Sequence, residues 1–229
     1  MNADGIVCAV AFSGSNRKEQ WLLSRVISAQ KANTANGLSL PAGTAKNDTE
    51  IALSTANLNT AVNPGGSLYG LQHSNPVDTD EAYQGNPKNF GRANDPMVGE
   101  KIGGVNVFGG GLGLYRAKQR VGGVGVSGDT SCADHVIGWR VRALLNLDDI
   151  PGGVADPDGP AGPAPATDNI LYDLSSIEAT PVALQTNTGG FTSKSGFGHP
   201  NCLGDAGDAD GDSESLGERL PIDFPVGPN

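Results

Sequence analysis

Three histidines, three cysteines and a late run of carboxylates are the residues of this 229-residue chain best suited to chemistry. His135 directly follows Asp134 in DTSCADHVIGWRV, with Trp139 one helical turn further on. An imidazole so placed can take a metal through one nitrogen while a neighbour orients the other. The alternative is a surface or cap-adjacent histidine. His73, in YGLQHSNP, is a second candidate ligand in a loop sequence, where function concentrates. His199, in GFGHPNC, lies in a tail with little pattern and is the weakest of the three.

Cys8, Cys132 and Cys202 have no metal-type spacing, and one disulfide plus one free thiol fits the count without fixing the pair. Asp208, Asp210 and Asp212 crowd into GDAGDADGDSE, a composition that suits a hard cation such as calcium. With Gly211 at the sixth position, however, the first and twelfth fall on Ala206 and Gly217, so two anchoring ligands are lacking and a solvated acidic loop is the simpler reading. Gly123, Gly125 and Gly128 satisfy G-x-G-x-x-G before a helix. The strand before them ends only a few residues earlier, which makes a hairpin and argues against the crossover of a dinucleotide-binding unit. The run from Gly109 to Gly113 lacks the G-K-[ST] ending of a phosphate loop. Glycines in these strands are expected to mark close backbone approach, with a flat wall under a ligand as the sharper possibility. There is no G-x-S-x-G and no Ser/His/Asp or Cys/His signature, so a hydrolase is not expected.

Positioning these residues requires a framework, and periodicity supplies an outline. Residues 5–13 read as a short buried strand. A helix is predicted over 19–37 from Trp21, Leu22, Val26, Ala29 and Ala32, ending on Gly37, and a weaker one over 48–58. Residues 63–100, rich in Pro, Gly and Asn, read as a long ordered loop of the kind that is functional or covers something. Strands are predicted at 104–108, 112–117 and 120–126, with a turn at Lys118 and Gln119. The next helix is predicted from about Ala133, where Ser131 and Asp134 stand in capping-box relation. Its buried stripe is expected at Val136, Ile137, Val141, Leu144 and Leu145. After Leu147 come a Pro/Gly-rich linker, a short strand NILYDL and a polar tail. The chain thus divides into a domain over 1–150 and an extension over 151–229.

With 37% hydrophobic and 17% charged residues, 34 Gly and 15 Pro, the sequence supports one loop-rich core. A formal net charge of −10 repels phosphate backbones and argues against nucleic acid as a partner. No apolar run reaches the ~18 residues of a membrane span. The N-terminal segment lacks the features of a signal peptide, so either the protein is cytosolic or its leader lies outside this sequence.

The block GGVNVFGGGLGLYRAKQRVGGVGVSGDTSCADHVIGWRV resembles the hallmark of the GlcG/HbpS-like haem-binding family, which includes the C-terminal domain of PduO-type proteins. The matching parts are Gly110 and Gly111, the strands at 112–115 and 121–126, Ser127 and Gly128, and Asp134. Lys31, Ala32, Thr34 and Ala35 match the family's first shared helix, and together these parts span about half of the chain. The resemblance implies an α/β domain with a central antiparallel sheet flanked by helices, a homo-oligomer, haem or a related tetrapyrrole as ligand, and a periplasmic or extracellular location. The family's first helix and strand are missing from this sequence, and the 63–100 loop and the C-terminal extension are longer than its norm. On this reading the protein is a non-enzymatic haem binder in which His135 or His73 ligates iron while Phe108, Gly110, Gly111, Leu112 and Leu114 line the pocket. A self-assembling structural protein and an enzyme acting on a small metabolite are the competing expectations.

Overall fold

The computed structural model describes residues 1–39, 51–151, 168–172, 174–176, 191–193, 195–200, 202 and 225. At its centre is a β-hairpin. Strand β1 (Gly111–Arg116) pairs antiparallel with β2 (Gln119–Gly125). Ala117 and Lys118 make the turn, both with positive φ (48° and 58°), the conformation that matches the right-handed twist of two-residue hairpins.

The register of this hairpin decides what packs on it. Gly111 pairs with Gly125 and Gly113 with Gly123, so one face of the ribbon carries no side chains along two successive rungs. Helix α1 (Ser24–Leu38) lies on that face. A Cβ at Gly123 would collide with the Ala32 carbonyl oxygen, and one at Gly125 with that of Ser28. The glycines therefore let a helix backbone rest on a strand backbone. The opposite face presents Leu112 opposite Val124, and these pack against Val136 and Trp139 of helix α5 (Ser131–Leu144). The hairpin is thus held between two helices.

The expected central sheet is smaller than the family resemblance implies. Among the described residues there are two two-stranded sheets, the hairpin and a pair formed by β3 (Leu174–Ser176) and β4 (Phe191–Ser193). Residues 5–13 are not a strand: Val7 exchanges backbone hydrogen bonds with Gly99 and Glu100, and Asn2 makes an isolated bridge to Gly122. Residues 104–108 likewise form no strand. Among the described residues neither segment has a partner strand along its length, so its apolar content is used in packing instead of a ladder.

Helix α1 begins at Ser24, later than expected, and runs through Gly37 to Leu38. The helix predicted over 48–58 begins outside the described residues. At its expected end the chain makes a 3₁₀ turn, Ala56–Leu58, that leads into α2 (Asn59–Val62). The 63–100 loop contains two short helices, α3 (Leu71–Ser74) and α4 (Thr79–Tyr83), the second capped by Asp78. No helix among the described residues is long and apolar enough to cross a membrane.

Helix α5 departs most from expectation. Its N-cap is Thr130, whose hydroxyl accepts from the Ala133 amide, and not Ser131. Its buried face carries Asp134, His135, Val136, Gly138, Trp139 and Arg142, while Ile137, Leu144 and Leu145 are exposed. The polar face goes inward because distant groups satisfy it. Asp168 receives both terminal nitrogens of Arg142, one at 2.8 Å, and both side chains are fully enclosed. The Arg142 guanidinium also lies 4.7 Å from the Trp139 ring centre.

Candidate functional site

A groove of about 380 Å³ lies between the start of α1, the 10–13 segment, the end of β2 and the outer face of α5. Its apolar walls come from Phe12, Trp21, Leu22, Phe90, Ile137 and Val141. Trp21 and Leu22, expected inside a helix face, stand 67% and 78% exposed at its edge. Arg25 fixes the wall opposite α5. It donates to both Asp95 oxygens (2.8 and 2.5 Å) and to the Ala82 carbonyl (2.6 Å), and its guanidinium stacks 3.8 Å from the Phe90 ring centre. Ser24 also lines the groove, and its buried hydroxyl oxygen has no hydrogen-bond partner among the described residues.

None of the described residues selected from sequence for haem binding lines this groove. His73 is exposed on α3. His135 is wholly enclosed on α5; its Nε2 lies 3.2 Å from Asn169 Oδ1, while its Nδ1 has no partner among the described residues. Burial, opposed by the nearby Asp168 carboxylate, drives its pKa down to about 4, so the ring is neutral at ordinary pH. Gly110, Gly111 and Leu112 are buried against protein, and side chains at the two glycines would strike Asp134 and Thr55. Leu114 is half-buried and Phe108 exposed. The flat glycine wall exists, but α1 lies on it. Asp208, Asp210 and Asp212 lie outside the described residues, among which no cluster of three His, Cys, Asp or Glu side chains is placed to hold a metal.

Two relationships escape the sequence. Cys132 and Cys202 form a disulfide across 70 positions, leaving Cys8 free and exposed. One residue before Cys132, the Ser131 hydroxyl lies 2.8 Å from Nε2 of His199, three residues before Cys202. The late GHPNC segment shows neither helical nor strand periodicity, so only knowledge of the disulfide could have joined it to the start of α5.

No family model and no curated protein matches this sequence. Among solved structures, the chain is similar to the crystal structure of a PduOC–haem complex. The TM-score is 0.39 and the identity 23%, over 64% of this chain and 75% of that one.

Proposed function

We propose that this protein binds haem or a related tetrapyrrole, as part of a homo-oligomer, and that the groove beside α5 is the seat of the ring. The groove itself carries this reading: an open apolar slot with aromatic and aliphatic walls and an unpartnered buried hydroxyl at Ser24. A tetrapyrrole needs apolar walls for its face and polar groups for its carboxylate arms, and a mostly apolar pocket with few fixed polar groups is the general form of such sites. When bound, haem would supply iron for ligand exchange or electron transfer; the chain's own contribution is to enclose the ring and orient its edge.

Among the described residues the groove lining contains no imidazole. His73 is the histidine open to an iron centre, whereas His135 could serve only if the segment carrying Asn169 lifted away from it. Haemin titration of the wild type against Ile137→Glu, His73→Ala and His135→Ala separates the groove from the histidines. The Soret shift is expected to weaken in Ile137→Glu and to persist in both histidine variants, because neither histidine lines the groove; loss in a histidine variant alone would place the ring elsewhere.

Self-association is supported by the end of α5 beyond the groove. Leu144 and the C-cap Leu145, 78% and 54% exposed, continue at helical spacing the apolar stripe that begins with the groove residues Ile137 and Val141. Apolar stripes of this kind mark surfaces that another molecule covers. The Cys132–Cys202 disulfide favours an oxidising, exported setting.

A further inference from the structure

We propose that Ser131 and His199 form a serine–histidine dyad able to transfer acyl groups from small uncharged esters. The site is separate from the groove and does not depend on tetrapyrrole binding. The partners set the protonation pattern. His199 Nδ1 lies 2.6 Å from the Pro200 carbonyl oxygen, which can only accept, so Nδ1 carries the proton. Burial moves the pKa of His199 below its ordinary value, which keeps the ring neutral and leaves Nε2 as an acceptor. The Ser131 hydroxyl, 2.8 Å away, therefore donates to Nε2. This is the geometry of a nucleophile paired with a general base whose tautomer is set by a third group. Here a backbone carbonyl takes the place of a carboxylate.

The surrounding chain holds the pair rigidly. The Cys132–Cys202 bond ties the two segments together one residue after Ser131 and three residues after His199. The 198–199 backbone is tied to Thr60 through the Gly198 carbonyl (2.5 Å from the hydroxyl) and to the Leu171 carbonyl (2.8 Å). Tyr172 meets the His199 ring edge-on at 6.5 Å. Gly109 approaches so closely that a side chain there would strike Ser131, and its amide donates to Ser131 Oγ at 2.7 Å. Ser131 keeps partial exposure at the start of α5, beside exposed Asp129 and Thr130. The first-turn amides of a helix have no intrahelical partners and favour negative charge. Exposed Phe108 offers an apolar contact nearby, and the Asp129 carboxylate disfavours anionic substrates.

In the acyl-transfer step the Ser131 oxygen bonds to the ester carbonyl carbon as its proton passes to His199 Nε2. The carbon–alkoxide bond then breaks, and His199 returns the proton to the leaving alkoxide. Water, deprotonated by His199, next attacks the acyl-serine, releasing a carboxylic acid and restoring the hydroxyl.

The test uses the intact, disulfide-bonded protein with p-nitrophenyl acetate as substrate and a fluorophosphonate as covalent label, the labelled peptide being located by mass spectrometry. The dyad predicts label on Ser131 and hydrolysis that falls about 100-fold in Ser131→Ala and in His199→Gln, the scale of a lost general base. It also predicts a wild-type rate that falls as acid protonates His199. An unmodified Ser131 in the wild type overturns the proposal without reliance on any variant. So does a well-folded Ser131→Ala protein that hydrolyses at the wild-type rate.

Discussion

Lys31 Nζ lies 2.9 Å from Asp134 Oδ2, and each side chain is only 2% exposed. The ion pair joins α1 to α5 past the edge of the hairpin between them. The same ammonium donates to the Val126 carbonyl at 2.9 Å, and the other Asp134 oxygen accepts from the Asp129 amide at 3.2 Å. Burial pulls both groups toward their neutral forms, lowering the lysine and raising the aspartate, while their mutual attraction opposes it. Both residues belong to the segments that resemble the GlcG/HbpS-like pattern, and here they tie together the two helices that enclose the hairpin.

Removing one partner should leave the other charged and enclosed. Lys31→Met and Asp134→Leu are each expected to cost about 3–5 kcal/mol in urea unfolding. The double variant should recover most of that loss, since an apolar pair of similar volume often replaces a buried ion pair without penalty. Additive losses in the double variant would show that the pair does not act as a unit.

Glycine substitutions on the bare face of the hairpin and inside α1 should have opposite effects. Gly125→Ala should destabilise by about 1–3 kcal/mol, because the Ser28 carbonyl blocks the new methyl and α1 must shift. Gly37 sits inside α1 with open space around it, so Gly37→Ala should stabilise by about 0.5–1 kcal/mol. Thermal midpoints of the two variants check both signs.

His135 should make stability pH-dependent. Its folded pKa of about 4 lies below the ordinary 6.5, so between those values the unfolded chain binds more protons than the folded one. The contribution is fully present above about 6.5 and is lost as pH falls toward 4, by up to about 3 kcal/mol. His135→Gln should remove that slope from urea midpoints measured across this range. A slope unchanged in the variant would assign the acid sensitivity to other groups.

The hairpin and α5 are legible in the sequence to within a residue or two, because turn residues and local capping set them. The buried face of α5 is not. Its most apolar residues, Ile137, Leu144 and Leu145, point outward, while His135 and Arg142 go in with partners from Asn169 and Asp168, more than twenty positions away. Hydrophobic periodicity has no means of seeing such compensation. The alternation of glycines at 111 and 113 and at 123 and 125 is visible in the sequence, but whether a helix or a ligand lies on the bare face depends on tertiary packing. Ser131 has the spacing of half a capping box, yet Thr130 caps the helix and the Ser131 hydroxyl faces His199.

Reduction of Cys132–Cys202 should weaken the fold. Closing a loop of 70 residues corresponds to about 4 kcal/mol on the chain-entropy model. Urea midpoints with and without reductant, compared with those of Cys132→Ser, measure the loss. A Cys8→Ser variant should retain the wild-type response, since Cys8 takes no part in the bond.

Whether the groove beside α5 receives a tetrapyrrole is tested most directly by a visible absorption titration of the purified protein with haemin. Wild type is compared with Ile137→Glu, which places a charge on an already exposed wall of the groove. A saturable Soret shift is predicted in the wild type, weakened at least tenfold in Ile137→Glu at unchanged thermal stability. No saturable shift in the wild type, or equal affinity in the variant, would contradict tetrapyrrole binding in this groove.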